Sequence, residues 1–283
     1  MTDLWSRVSN AIAWRLRAFR IDLWFFPVRL RAWLIFRRTA ARYRFLTEGE
    51  LRQTRKSDTV FIFGSGYSLN ELSPQEWREI AHHDTLGFNW FVHQRFVRCD
   101  YQLVREIGPS DLDETTWRQY LQDYFERLLS NPCFKDTVLL IQTGFRATNG
   151  NRAIGLGLIP SGRRIFLWRS LQNRDAPSLS LRRGLAHGQG TLSECINFAF
   201  LMGWTTIVLV GVDLYDRRYF WLRRDEPRPD DPQIDLPHNT VAGGVVESVG
   251  RWRDQLAARD VHLFVYNPRS LLAGVLPVWP ARA

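Results

Sequence analysis

The stretch TVFIFGSGYSL at residues 59–69 decides the fold. Residues 60–63 form a short, continuous run of β-branched and aromatic residues, which is typical of a strand buried on both faces. The run stops at Gly64-Ser65-Gly66, where the backbone can turn tightly and leave its amide groups open. We expect these amides to face an anion, such as a nucleotide phosphate, at the carboxyl end of a parallel strand. A turn with a purely structural role fits the same pattern.

Strand and helix patterns alternate along the rest of the chain. We predict further strands over 85–88, 100–104, 137–142, 164–168, 205–210 and 262–266, and helices over 70–83, 114–129, 192–202 and 247–259. Residues 48–58 are predicted to be a polar linker, 147–183 a mostly irregular segment, 221–237 a mobile loop, and 267–283 a tail that packs back on the domain. The alternation favours one doubly wound, mainly parallel α/β sheet of the Rossmann-like type, spanning 58–283.

Arginine and aromatic residues are concentrated at the N-terminus. Residues 1–46 contain ten arginines and two aspartates, interleaved with Trp, Phe and Leu. This composition predicts a helical extension over 4–46, interrupted near Pro27, that lies on an anionic membrane surface. We therefore assign residues 1–50 to a membrane-associating segment. A helix docked on the protein's own core is the alternative, and nucleic acid is not an expected partner, because this apolar content suits lipid better.

The cysteine content and the N-terminal pattern indicate the compartment. The three cysteines, Cys99, Cys133 and Cys195, form no C-x-x-C pair, so we predict neither a disulfide framework nor a zinc site. The uncharged runs of the extension, such as residues 23–28, are far too short to span a bilayer. No secretory signal pattern is present. We expect a cytoplasmic protein, peripheral on the inner face of the cytoplasmic membrane.

Several polar residues are predicted to meet at one edge of the sheet. Asp213 follows the strand at 205–210, and an acid at the carboxyl end of a buried strand lies at the ligand crevice. His238 follows the loop at 221–237, and its ordinary pKa suits a general base near neutral pH. A solvated loop histidine is the alternative. His187, beside a Gly-Gln-Gly turn, is the second candidate for the base.

Taken together, these segments resemble the bacterial sialyltransferase family typified by the Campylobacter lipooligosaccharide enzymes. Residues 63–69 (FGSGYSL) are close to that family's G-x-G-x-S-L turn, and residues 87–91 (GFNWF) are similar to its R-C-N-x-F segment. Gly190-Thr191 opens a helix, residues 207–215 (IVLVGVDLY) resemble I-x-L-x-G-I-D-F-Y, and His238 follows a flexible loop as the family's catalytic histidine does. The resemblance covers residues 58–270.

The resemblance implies an inverting, metal-independent transfer of sialic acid from CMP-sialic acid to a surface glycan, as in lipopolysaccharide or capsule biosynthesis, with no cofactor. It implies one α/β domain with a lid at about 216–240. Tyr67 stands where the family commonly has proline, and Gly87 and Phe88 stand where it has arginine and cysteine. Kdo, another acid sugar carried as its CMP conjugate, is therefore a second candidate donor.

The expected site has two groups of residues. The resemblance makes His238 the base, and Tyr215 and Tyr219, just after a strand, are expected to donate to the departing phosphate or else to pack in the lid. The expected nucleotide-binding residues are Gly64, Ser65, Gly66, Ser68, Asn89, Gly190, Thr191 and Asp213. Asp111-Leu112-Asp113 matches the D-x-D pattern of metal-dependent glycosyltransferases, but it precedes a helix, where acids cap the first turn, so no metal site is predicted.

Two other functions fit the same sheet. Domains that resemble hydroxymethylpterin pyrophosphokinases share these motifs, use ATP, and need carboxylates to hold magnesium, for which only Asp213 and Asp216 are at hand. A non-catalytic scaffold with a decayed site, docked at a membrane, is the third possibility. Retention of Asn89, Thr191 and His238 argues against decay.

Overall fold

Seven parallel strands form the centre of the molecule. A computed structural model describes residues 23–105, 114–172, 175–227, 233 and 235–280. The strands are β1 (Thr59–Phe63), β2 (Asp84–Phe88), β3 (Tyr101–Val104), β4 (Val138–Gln142), β5 (Ile165–Trp168), β6 (Ser170–Leu171), β7 (Leu185–Ala186), β8 (Thr206–Val210) and β9 (His262–Val265). The helices are α1 (23–39), α2 (Glu48–Arg52), α3 (Pro74–Ile80), α4 (Glu114–Ser130), α5 (Thr148–Gly155), α6 (Thr191–Met202), α7 (Asn239–Ala242) and α8 (Val245–Ala257).

The order of the strands shows where the winding of the chain reverses. The main sheet runs β5-β4-β3-β2-β1-β8-β9, and each neighbouring pair is parallel. β6 and β7 pair separately. The predicted doubly wound α/β sheet is confirmed. The chain builds outward from β1 to β5 and then returns to add β8 on the other side of β1. Sheets of this kind bind ligands at the carboxyl ends of the strands at such a reversal.

β1 is buried on both faces, as its continuous apolar run predicts. Val60 and Ile62 belong to one hydrophobic cluster, and Phe61 and Phe63 belong to the other. Successive side chains of a strand point to opposite faces, so each cluster receives alternate residues. The two clusters are the cores on the two faces of the sheet, and this burial places β1 in the interior of the sheet, between β2 and β8.

Three local predictions differ from the structure. The supposed linker at 48–58 contains α2, which begins at a capping box between Thr47 and Glu50 and buries Leu51. The helix predicted over 70–83 is a 3-10 turn followed by α3, because Ser73 caps a new helix whose first residue is a proline. The segment at 147–183 contains α5 in addition to its predicted strand.

The N-terminal extension is partly docked on the sheet domain. α1 is helical through Pro27, where we expected an interruption; only the hydrogen bond to the carbonyl of residue 23 has to be given up. The hydroxyl of Thr39 donates to the carbonyl of Gly155 at 3.2 Å, and Phe45 forms a parallel bridge with Ile165 at the edge of β5. Residues 1–22 lie outside the described residues. Within the described part, no helix is both long and apolar enough to cross a membrane.

The described part of the C-terminal tail lies against the sheet, as predicted. Val278 forms a parallel bridge with Val265 of β9, and the Trp279 amide donates to the carbonyl of Val265 at 2.8 Å. The Trp279 ring contacts Phe61 and Phe264 edge-on. The tail therefore covers one face of the sheet near its edge.

α5 approaches β4 so closely that only glycine fits at the contact. A Cβ on Gly150 would collide with the carbonyl oxygen of Gln142, whereas a Cβ on Gly49 in α2 would meet nothing within 4 Å. We expect Gly150→Ala to lower the free energy of unfolding by about 1–3 kcal/mol, because backbone must move to admit the methyl group. Gly49→Ala is the matched control and should leave stability unchanged or raise it by up to about 1 kcal/mol. Urea denaturation measures both; equal stability of the two variants would contradict this close approach.

Candidate active site

A pocket of about 440 Å³ opens at the carboxyl ends of the strands where β1 and β8 meet. It is lined by the turns after four strands, by α4, and by the amino ends of α6, α7 and α8. The lining residues are Gly64, Ser65, Phe88, Asn89, Trp90, Arg105, Tyr120, Gln189, Gly190, Thr191, Leu192, Gly211, Val212, Asp213, Leu214, Tyr219, His238, Thr240 and Val245.

Most of the residues predicted from the sequence meet in this pocket. Those that line it are Gly64, Ser65, Asn89, Gly190, Thr191, Asp213, Tyr219 and His238. Gly66, Ser68 and Tyr215 are not among its lining residues. Segments far apart in the sequence thus meet at the carboxyl ends of β1 and β8, where the winding of the chain reverses.

The glycine turn after β1 is bound to the end of β8. The Gly64 amide donates to the carbonyl of Val210 at 2.8 Å, and the Gly66 amide donates to the carbonyl of Gly211 at 2.8 Å. The expectation that these two amides face an anion is therefore wrong. Glycine is needed for a different reason: a Cβ on Gly64 would collide with the backbone of Gly211, and one on Gly66 with the carboxylate of Asp213.

Asp213 stabilises this turn from the other strand. Its Oδ2 accepts from the Ser68 amide at 3.0 Å, and its Oδ1 accepts from the Ser68 hydroxyl at 2.5 Å. The Asn267 side-chain amide donates to the same Oδ1 at 2.9 Å. The carboxylate is 3% exposed. Asp213 and Ser68 are therefore engaged with each other, and Asn267 is a member of this network that the sequence reasoning missed.

Asn89 occupies a backbone conformation that few residues tolerate. Its φ is 49°, in the left-handed region where asparagine is enriched. Its carbonyl accepts from the side-chain amide of Gln102 at 3.3 Å and from the hydroxyl of Tyr124 at 3.2 Å. These contacts fix the turn after β2 and hold Asn89 at the wall of the pocket.

α6 directs its amino end into the pocket. Gly190 is the N-cap, with φ 75°, and the hydroxyl of Ser193 donates to its carbonyl at 2.8 Å. The helix has 12 residues, enough for its dipole and first-turn amides to favour an anion at this end. Gly190 and Thr191 thus lie at the end of the helix where its dipole favours an anion.

His238 is held at the start of α7, which lies beside the amino end of α6: a Cβ on Gly190 would be 3.4 Å from the methyl group of Thr240. The His238 amide donates to the carbonyl of Leu214 at 2.9 Å, and its Nδ1 lies 2.9 Å from the hydroxyl oxygen of Thr240. The Thr240 amide donates to Nδ1 at the longer distance of 3.3 Å. Because an amide N–H can only donate, Nδ1 accepts in this arrangement, and a neutral ring then carries its proton on Nε2.

The two predicted tyrosines lie differently. Tyr219 lines the pocket and forms an antiparallel bridge with Gly66, so the first part of the predicted lid is tied to the glycine turn. Tyr215 is not in the lining. Burial raises the pKa of Tyr215, and the charge of Asp213 raises it further, so its phenol keeps its proton at neutral pH.

An aromatic wall that the sequence reasoning missed completes the pocket. Trp90 and Tyr120 line it together with Tyr219. Behind them Trp221 stacks on His93, with ring centroids 4.8 Å apart and planes inclined by 10°. Burial lowers the pKa of His93 from 6.5 to about 4, and the charge of Arg127 adds to this effect. His93 is therefore a neutral aromatic member of the wall at physiological pH.

A group of ionisable residues lies beside the aromatic wall. Arg105 follows β3 and lines the pocket, and its Nε lies 3.2 Å from Oε2 of Glu194 in the first turn of α6. The Nδ1 of His187 is 3.4 Å from the same oxygen, and the hydroxyl of Ser170 donates to Oε1 at 2.5 Å. His187, the second candidate for the base, thus contacts Glu194 and is not among the lining residues.

Potential metal ligands do not cluster in the described part of the chain. No group of three or more His, Cys, Asp or Glu side chains there is placed to hold a metal ion. Asp111 and Asp113 lie outside the described residues.

Solved structures similar to this chain include two bacterial sialyltransferases. No protein-family model and no curated protein sequence matches the chain. The sialyltransferase CstII from Campylobacter jejuni, in complex with the substrate analogue cytidine-5'-monophosphate, is 16% identical, with a TM-score of 0.46, over 78% of this chain and 85% of its own. The monofunctional alpha-2,3-sialyltransferase Cst-I from Campylobacter jejuni is 12% identical, with a TM-score of 0.47, over 83% and 82%. Both are sialyltransferases, as the sequence motifs suggested, but at these values the likeness assigns no activity.

The buried ring of His93 makes stability depend on pH. Because its pKa is lower in the folded protein, the unfolded chain binds the proton more readily, and stability falls as the pH drops from about 6.5 towards about 4. Between pH 7 and pH 5 we expect this histidine to account for a loss of about 1 kcal/mol, after allowance for the solvent that reaches the ring. Urea denaturation at both pH values should show this component disappearing in His93→Gln and persisting in His82→Gln, an exposed control; identical pH dependence of all three proteins would refute the assignment.

Proposed function

We propose that the chain is an inverting, metal-independent glycosyltransferase that moves an acidic sugar, sialic acid or a Kdo-like sugar, from a CMP-sugar to a surface glycan or glycolipid. The observation that carries the proposal is the convergence of His238, Asn89, Tyr219 and the amino end of α6 in one pocket. Transfer from a CMP-sugar needs a base for the acceptor hydroxyl and donors for the departing phosphate. This pocket offers both kinds of group.

The phosphate is proposed to lie at the amino end of α6. The bond from the anomeric carbon to the phosphate oxygen breaks, and its electron pair stays on CMP. Gly190 and Thr191 at the helix start, together with the hydroxyl of Tyr219, are placed to stabilise that charge. The engaged amides of Gly64 and Gly66 take no part in this step, and their turn instead shapes the floor of the pocket.

His238 is proposed to take the proton of the acceptor. As the acceptor oxygen bonds to the anomeric carbon from the opposite face, its proton passes to Nε2. In the reacting tautomer the proton of the neutral ring lies on Nδ1 and is donated to the Thr240 hydroxyl, whose oxygen is 2.9 Å away. The Thr240 amide, which donates to Nδ1 in the structure, must release that nitrogen first.

Nucleotide selectivity tests this function. We expect CMP to raise the melting temperature of the protein in the presence of EDTA, with UDP, GDP and ATP without effect. His238→Gln should keep this response but release CMP from the donor about 10²–10⁴-fold more slowly, with water as the acceptor, because a general base contributes by about that factor.

A matched control distinguishes loss of the general base from a general effect of replacing a histidine. His262→Gln changes an exposed histidine on β9 and should release CMP at the wild-type rate. Stabilisation by ATP and magnesium alone would replace the proposal with the pyrophosphokinase-like reaction. CMP binding without turnover would indicate the scaffold, and a normal rate in His238→Gln would remove this histidine from the mechanism.

We also propose that the N-terminal extension rests on an anionic membrane, on the cytoplasmic side. Leu23 and Trp24 of α1 are 63% and 81% exposed, and the same helix carries Arg31, Arg37 and Arg38 on its surface. The exposed ring of Phe26 lies 5.5 Å from that of Phe145, which follows β4. This apolar surface is therefore at the same edge of the sheet as the pocket, which would suit a glycolipid acceptor.

Vesicle sedimentation tests the membrane proposal. We expect the protein to bind phosphatidylglycerol vesicles more tightly than phosphatidylcholine vesicles, with the difference reduced by salt. The double variant Trp24→Ser/Phe26→Ser should bind at least about tenfold more weakly, because two aromatic groups that would be buried in the membrane interface are lost. Leu179→Ser, which removes an equally exposed apolar residue elsewhere, should bind as wild type. Unchanged binding of the double variant would exclude this surface.

A further inference from the structure

The ionisable group beside the pocket contains a carboxylate that is costly to bury. Glu194 is fully buried, whereas the side chain of Arg105 is 11% exposed and that of His187 is 14% exposed. Taking such charges out of water costs several kcal/mol per ion, and mutual attraction repays this only with good geometry. The pair of Arg105 and Glu194 therefore need not stabilise the fold. Because it lies at the pocket wall, a role in binding a ligand is the other explanation.

The contacts of Glu194 give it a definite role. One carboxylate oxygen faces both the guanidinium of Arg105 and the ring of His187, and the other accepts from Ser170. The carboxylate lies in the first turn of α6, where the helix dipole favours negative charge. The carboxylate is thus bound at Oε1 by Ser170, and its Oε2 lies at ion-pair distance from the guanidinium of Arg105 at the pocket wall.

We propose that Arg105 binds the carboxylate of an acidic donor sugar and that Glu194 is its positioning residue. The inference rests on the proposed function, because it assigns a ligand group within the same pocket. A guanidinium presents a planar fork of N–H donors that matches a carboxylate, and such charge-assisted pairs are stronger than neutral hydrogen bonds. The amino end of α6 already offers donors for the phosphate, so the arginine is assigned to the sugar. Arg105 would then make the enzyme selective for acidic sugars.

The test compares a donor with and without its carboxylate charge. Three probes are used. The first is CMP, and the second is the CMP conjugate of sialic acid or of Kdo, whichever the wild type binds more tightly. The third is the same conjugate with its sugar carboxyl group converted to the methyl ester. We expect the wild-type protein to bind the acid at least about tenfold more tightly than the ester, as a charge-assisted hydrogen bond allows. Arg105→Gln should abolish this preference while its affinity for CMP stays within about twofold. Calorimetry measures all three affinities.

Further variants show whether a lost preference for the acid results from misfolding. Arg105→Gln leaves the buried carboxylate without its main counter-charge, so the double variant Arg105→Gln/Glu194→Gln, which removes both charges together, should give the same result with a native melting temperature. Glu194→Gln alone should reduce the preference for the acid with CMP affinity unchanged. Arg52→Gln breaks an arginine–carboxylate pair outside the pocket and should keep the wild-type preference.

The outcomes separate the two proposals. A preference for the acid that survives in both Arg105 variants overturns the inference alone. Equal weakening of CMP and of the conjugate, with the preference intact, assigns Arg105 to the phosphate and likewise overturns it. If the wild type binds neither CMP nor the conjugate, the proposed function fails first, and this inference fails with it.

Discussion

The close approach of β1 and β8 at their carboxyl ends is the contact on which the rest of the site depends. Gly64 and Gly66 lie so near Gly211 and Asp213 that no side chain fits between them, and their amides bond directly to β8. The Asp213 carboxylate then ties Ser68 to the neighbouring strand. Because the winding of the sheet reverses here, this junction is also the floor of the pocket, and its hydrogen bonds hold that floor in place.

This junction changes which groups can act on a ligand. In a phosphate-binding glycine turn the amides face the anion, but here they complete the joint between two strands. In the proposed reaction, negative charge is stabilised by the amino end of α6, by Tyr219 and by Arg105, which reach the pocket from separate elements. These side chains line the pocket, and the polar groups that line a pocket set its specificity.

The fold could be predicted well from the sequence because its signals are local. A strand buried on both faces must be apolar throughout, which marked β1, β4 and β8 without ambiguity. The sequence analysis missed short helices whose formation depends on a capping residue or on a close contact with the sheet. α2 depends on the box formed by Thr47 and Glu50, and α5 depends on a glycine that lets it approach the sheet. These features occupy few residues and leave little periodicity to detect.

For the site, the sequence alone determined the type of sheet and the residues that follow its strands, because strand order brings those ends to one edge. Asp213 was predicted from its place after a strand, whereas the resemblance to the sialyltransferase family indicated Asn89 and His238; all three line the pocket. Only the tertiary structure decided which groups pair with each other: that the glycine amides bond to β8, that Asn267 contacts Asp213, and that Glu194 faces Arg105. The reason is physical. Hydrogen bonds and ion pairs depend on distance in space, and the partners here are far apart along the chain, where no sequence pattern links them.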